Sequence, residues 1–227
     1  MKILAIETSG KTFSAALNEN SVTIASCYYE CEHIHSEIII PAVERLLKDT
    51  NISIKSIDKF AVSTGPGSFT GIRIGMTAIK TFAQILNSPI TTVDSLTILE
   101  NSVAEQKDVK IVAAIDALRN EVYVKQKNEI IIKNIDLLIK DLKKHKNKIL
   151  VIGNASDIYK EKFVKSFGEY SVSLPRIMNM PKAEVLASLA CNLPTLNYTD
   201  IKPLYIRRLW VEGIKKSRKP YFQSILL

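Results

Sequence analysis

Thr64-Gly65-Pro66-Gly67-Ser68-Phe69-Thr70-Gly71-Ile72-Arg73-Ile74-Gly75 constrains the fold more than any other stretch of the chain. It follows a short apolar run, Phe60 to Ser63, that reads as a buried strand. Gly65-Pro66-Gly67 is a turn signal, because glycine admits positive φ and proline sets φ near its turn value. Ser68 is placed to cap a helix from about Phe69 to Asn87, stopped by Pro89. At about 100° per residue, Arg73, Thr77, Lys80, Gln84 and Asn87 fall on one narrow polar stripe. The remaining circumference is apolar, wider than the stripe of an ordinary surface helix. Ile72, Met76, Ile79, Ala83 and Leu86 form one row, and Gly71, Gly75, Ala78 and Phe82 the next. The spacing predicts a helix packed on two sides. One side meets its own sheet, and the glycine row admits the close approach of another backbone. Burial on both sides within one domain is the plainer alternative.

At 227 residues the chain is long enough for one large domain or two small ones, and 46% hydrophobic content supports a sizeable core. No apolar run reaches the length of a transmembrane helix, and Glu7 comes too early for a signal peptide, so no membrane association is expected. Cys27, Cys31 and Cys191 are sparse and odd in number, which points to a reducing, cytoplasmic compartment. The net charge of +8 favours a polyanion such as RNA. Lys143, Lys144, Lys146 and Lys148 read as a solvated surface, whereas Arg207, Arg208, Lys215, Lys216, Arg218 and Lys219 form a basic tail of open purpose.

Lys2 to Thr8, Thr12 to Asn18 and Val22 to Glu30 read as strands joined by tight turns. A helix over 35–51 follows, with Ile39, Val43 and Leu46 on one stripe and Pro41 fitting only its first turn or a kink. The Phe60 strand, the long helix, a strand Ile90 to Val93 and a helix capped by Ser95 and reaching about Glu105 complete the set. The order then repeats: strands Val109 to Asp116, Glu121 to Lys127 and Glu129 to Asn134, a helix over 135–146, a strand Ile149 to Ile152 and a helix over 155–166. Segment 171–181 reads as loop, and Lys182 to Asn192 as a last helix. The expected class is α/β: mixed sheets with helices on both faces, in lobes 1–106 and 107–200, followed by a basic segment 201–227.

Glu7, Thr8 and Ser9 end the first strand, where such folds can hold phosphate, and Asp116 occupies the matching turn of the second lobe. Either acid is equally an ordinary turn residue. The nucleotide loop Gly-x-x-x-x-Gly-Lys-Ser/Thr is absent. His33 and His35 would share a face on a strand, but the i, i+4 spacing of a helical zinc motif is missing, and His145 stands in the lysine-rich segment. No metal site is expected, and no Gly-x-Ser-x-Gly nucleophile elbow occurs.

Ile3-Leu4-Ala5-Ile6-Glu7-Thr8-Ser9, His35-Ser36-Glu37, the Gly65 to Gly75 block, Asp116-Ala117-Leu118-Arg119-Asn120-Glu121-Val122-Tyr123 and Pro203-Leu204-Tyr205-Ile206-Arg207 together resemble the TsaB (YeaZ) family of tRNA threonylcarbamoyladenosine biosynthesis proteins. The resemblance implies the duplicated ribonuclease-H-like fold of sugar kinases, heat-shock chaperones and actin. It implies a non-catalytic subunit paired with the paralogue TsaD, which carries the metal and the transferase site. A TsaE-like ATPase joins the pair, and tRNA is reached through the complex. No cofactor is expected on this chain alone, with ATP or ADP at the level of the complex. The two helices over 35–51 and 69–87 are the implied pairing surface, through which the isolated chain can also self-associate. The residues named for it are Ile39, Val43, Leu46, Phe69, Gly71, Ile72, Gly75, Met76, Ala78 and Phe82. A stand-alone ATP-dependent or metallopeptidase-like enzyme of the same fold is the alternative. Glu7 stands where the family commonly has aspartate, and Leu118 interrupts the usual Asp-Ala-Arg run.

Overall fold

The computed structural model describes residues 1–30, 35–127 and 129–206. The chain begins with β1 (Lys2–Glu7), β2 (Thr12–Glu19) and β3 (Val22–Glu30), an antiparallel meander. Then α1 (His35–Asp49) crosses over to β4 (Lys59–Ser63), which pairs in parallel with β1. A second crossover, α2 (Phe69–Leu86), leads to β5 (Ile90–Val93), parallel to β4. The sheet order is β3-β2-β1-β4-β5. β1 and β4 are buried almost throughout, as parallel strands covered on both faces must be.

After the short α3 (Ser95–Glu100) the plan recurs. The meander is β6 (Val109–Asp116), β7 (Glu121–Gln126) and β8 (Glu129–Asn134), and α4 (Ile135–Leu142) crosses to β9 (Lys148–Ile152), parallel to β6. The order β8-β7-β6-β9 repeats the first sheet without its fifth strand. After β9 come α5 (Asn154–Ile158) and α6 (Lys160–Phe167), two 3-10 turns at Glu169–Val172 and Arg176–Asn179, and α7 (Ala183–Ala190).

Four apolar clusters fill the layers. Leu4, Ile6, Phe13, Phe60 and Val62 face α1 and α2. The opposite face, Ile3, Ala5, Ala16 and Ala61, packs on Ile98 of α3 and on Ala183, Leu186, Ala187 and Ala190 of α7. In the second sheet, Ala114, Val122, Val124 and Val151 face α4 and Phe163 of α6. Ala113, Ile115 and Ile152 meet Leu96 and Leu99 of α3, so α3 is shared between the sheets. Lys125 of β7 adds a polar clasp, with its ammonium 3.3 Å from Asp94 Oδ2 and 3.5 Å from Glu100 Oε2.

Several expectations need correction. The last helix does not belong with the second sheet. Its alanine-rich face is narrow enough to lie on the small residues of β1 and β2, and Lys59 fixes its end by donating to the carbonyls of Ala190 (2.8 Å) and Leu193 (3.3 Å). The chain then follows the β5 edge, with Leu196 bridging Ile90 and Ile201 buried in the first core. The lobe expected over 107–200 therefore returns its final part to the first lobe. Segment 171–181 contains 3-10 turns rather than only loop. α3 stops at Glu100 because the side chains of Asn101 and Ser102 bond back to the carbonyls of Thr97 and Ile98. Its cap is Asp94, which accepts from Thr97 N at 2.9 Å, not Ser95. Pro41 lies past the first turn of α1 on its solvent side, where the carbonyl it leaves unbonded can be hydrated.

Candidate functional site

The turn after β1 is where the fold and the sequence both place chemistry. Glu7, Thr8 and Ser9 are all buried. Glu7 Oε1 accepts from Ser63 Oγ at 2.6 Å and from Ser9 N at 3.0 Å, while Oε2 is buried without a partner. Burial pushes the Glu7 carboxyl above its ordinary value, against the lowering effect of the Ser63 and Ser9 hydrogen bonds. Thr8 Oγ1 donates to the Gly71 carbonyl at 2.8 Å. Ser9 accepts at its carbonyl from Ser68 N (2.7 Å) and at its hydroxyl from Ser95 Oγ (2.8 Å).

The partner of this turn is the Gly-Pro-Gly-Ser block itself. A Cβ at Gly67 would overlap the Ser9 carbonyl. Cβ atoms at Gly71 and Gly75 would overlap the Thr8 carbonyl and the Thr8 hydroxyl. The glycine row of α2 therefore does admit a close backbone, and that backbone is the chain's own β1–β2 turn. This overturns the expectation that Gly71 and Gly75 serve another molecule.

Most other residues named for pairing also face inward. Ile39, Val43, Leu46 and Met76 lie in the first core, Ile72 is buried, and Ala78 and Phe82 are half-buried, the latter stacked on Phe60. Phe69 is exposed, with its ring 5.3 Å from that of Tyr205 and under the Arg73 guanidinium. Apart from Phe69, the outward apolar residues of the two helices are ones not named from sequence. Ile85 is 74% exposed and follows half-buried Ile74 and Ala78 at helical spacing, and Ile40 of α1 is 53% exposed. Sequence reading missed these because it assigned the glycine row, Gly71, Gly75, Ala78 and Phe82, to the outside. The polar neighbours Thr77, Thr81 and Gln84 mark the solvent side, and Ile85 beside them is the available signal.

Asp116 does not join the first site. Its backbone N–H donates to Asn154 Oδ1 at 2.8 Å, and its carboxylate accepts from Tyr159 OH at 2.8 Å. Desolvation first, and Asp116 second, push the Tyr159 hydroxyl up to about 12. Among the described residues no group of three His, Cys, Asp or Glu is placed to hold a metal. His33, Cys31 and the basic tail from Arg207 onward lie outside the described residues, as does the His35 side chain. No described helix is long and apolar enough to cross a membrane.

A family model described as TsaD, tRNA N6-adenosine threonylcarbamoyltransferase, matches residues 29–197. The tRNA threonylcarbamoyladenosine biosynthesis protein TsaB of Bacillus subtilis is 30% identical over 230 aligned residues, covering 95% of this chain and 100% of that protein. The chain belongs to the TsaB family. TsaB of Escherichia coli is 35% identical over 124 residues, about half of each chain (54% and 53%). Among solved structures, a Pseudomonas aeruginosa protein with similarity to peptidase YeaZ matches at TM-score 0.73 and 25% identity, covering 91% of this chain and 99% of the other. The ethanolamine utilization protein EutJ of Carboxydothermus hydrogenoformans, at 9% identity and TM-score 0.51, shares the fold alone. The duplicated α/β fold is thus common to TsaB relatives and to proteins far from them in sequence.

Proposed function

We propose that the chain acts in forming threonylcarbamoyladenosine on tRNA, as a non-catalytic cytoplasmic subunit that pairs with a TsaD-type paralogue. Its curated relatives are named for that pathway. The observation that carries the non-catalytic reading is the closed first turn. The Thr8 hydroxyl is engaged by the Gly71 carbonyl, the Ser9 hydroxyl by Ser95 and the Ser9 carbonyl by Ser68 N, while the Glu7 carboxylate, bonded to Ser63, offers a phosphate no donor. A phosphate would have to displace the whole Gly-Pro-Gly-Ser block. The chain alone accordingly takes no nucleotide, and ATP or ADP enters only with the assembled complex and its TsaE-like ATPase. This also weighs against a stand-alone kinase or peptidase.

The pairing surface is the outward side of α1 and α2, which contact each other on one face of the first sheet. Ile40, Ile74 and Ile85 replace the buried residues named from sequence, and half-buried Ala78 is retained. A partner of standard interface size would cover roughly 1,600 Å² in total, and a second copy of the chain can occupy the same face when the paralogue is absent. Co-expression with a TsaD-type subunit, followed by nucleoside mass analysis of tRNA, tests the function. Modification is expected from the pair and from neither subunit alone. Modification by the TsaD-type subunit without this chain, or ATP turnover by this chain alone, overturns it.

A further inference from the structure

α4 and α6 lie side by side on the outer face of the second sheet and enclose an open groove of about 390 Å³. Four lysines line it. Lys140 and Lys143 come from the end of α4, and Lys162 and Lys165 from α6. Each pair is spaced i, i+3, which puts both members on one flank of a helix, about 5–6 Å apart at Cβ. Helix phase therefore turns both pairs toward the same space, which a scattered solvated surface would not do.

The charge in the groove is not balanced. Asp136 is the acid lining it, and it bridges to Lys162 at 2.7 Å, tying the two helices together. Lys140, Lys143 and Lys165 are exposed and have no ion pair among the described residues. By contrast, neighbouring Lys133 and Lys144 are both taken by Asp141, whose carboxyl they hold down at about 2. Such a row of uncompensated ammonium groups on two rails fits a chain of phosphates.

We propose that this groove receives the phosphodiester backbone of RNA. The proposal rests on the tRNA reading above for the identity of that RNA, and it revises the expectation that the lysines around Lys143 are only solvated. The groove belongs to the second sheet, whereas α1 and α2 belong to the first, so the chain can touch RNA and a partner subunit at once. Contact of this kind carries affinity and orientation but no base specificity.

The test compares K140Q/K143Q/K165Q with the charge-matched control K55Q/K107Q/K127Q, whose lysines are exposed and lie outside the groove. Lys162 is left to Asp136 so that α4 and α6 stay tied, and thermal unfolding verifies both folds. Binding of a full-length tRNA transcript to the full chain is measured across a salt series, with polyglutamate as the rival anion. The groove variant should bind about 10- to 100-fold more weakly near 0.1 M salt, with a slope of log K against log salt smaller by about 2. The control should stay close to the unaltered chain. Equal losses in both variants, no loss in the groove variant, or no tRNA binding by the unaltered chain would overturn the proposal. So would loss of polyglutamate binding with tRNA binding intact, which would make the groove a site for an acidic protein. Co-purification with the TsaD-type subunit, read on the same preparations, separates failure of the groove from failure of the pairing reading.

Discussion

The two equivalent turns of the duplicated fold have opposite fates. After β1, the turn is buried and filled by the glycine block, and its hydroxyls are spent within the chain, Thr8 on the Gly71 carbonyl and Ser9 on the Ser95 side chain. After β6, the turn Leu118-Arg119-Asn120 has three successive residues at positive φ (62°, 58° and 58°), and Leu118 is 71% exposed. Asp116 beside it is held by Tyr159 and Asn154 rather than by an inserted loop. The same meander thus gives a closed plug in one lobe and an open rim in the other. The difference follows from what comes after the fourth strand. In the first lobe a glycine loop leads into a long helix and a fifth strand. In the second, Gly153 leads into short helices and the sheet ends.

The largest expected effect breaks the plug. With Thr8 against Gly75, Gly75→Leu should destabilise the monomer by about 3 kcal/mol or more, and Gly75→Ala by roughly 1–3 kcal/mol. Thr8→Ala combined with Gly75→Ala should recover part of that loss in a double-mutant cycle of denaturant unfolding. Additive losses would show that the contact is not what makes glycine necessary.

A smaller effect concerns the buried acid. Burial raises the Glu7 carboxyl above its ordinary value of 4.5, so the folded state holds the proton more tightly than the unfolded chain. The associated stability is present below that value and is lost as pH rises through the raised one. Glu7→Gln, always neutral, avoids that loss. The unfolding temperature of the variant should gain on that of the unaltered chain by a few degrees between pH 4.5 and pH 8. A constant difference would mean the carboxylate is not strained by its burial.

The rim should respond least. Leu118→Gly relieves a left-handed residue and should stabilise by about 0.5–1 kcal/mol in thermal unfolding. Asp116→Asn removes the acceptor charge beside Tyr159. Its hydroxyl should then titrate below about 12 in an ultraviolet pH titration, though still above an ordinary tyrosine, because desolvation is the larger cause.

The order of elements was legible because strand and helix periods differ and Gly and Pro punctuate them. Both sheets, the three crossovers and the recurrence follow from that. The destination of α7 was not legible. Its alanines suit either sheet, and only the small residues Ala5, Ala16 and Ala61 decide it. The glycine block was recognised as the centre of the chain, yet its direction was misread. Spacing shows that Gly71 and Gly75 need a close neighbour but not which backbone supplies it, and Thr8 lies 63 residues from Gly71 in the chain. The lysine groove was hidden for a similar reason. Lys140 and Lys165 become neighbours only after two helices are laid side by side.

Native mass measurement of the chain co-expressed with a TsaD-type subunit, with and without Ile40→Glu and Ile85→Glu together, tests the central claim most directly. Both residues are exposed, so the doubly substituted chain should fold as before. The unaltered chain should appear as a heterodimer and the doubly substituted chain as a monomer. A heterodimer of undiminished abundance with both substitutions in place would contradict the assignment of the outward helix face.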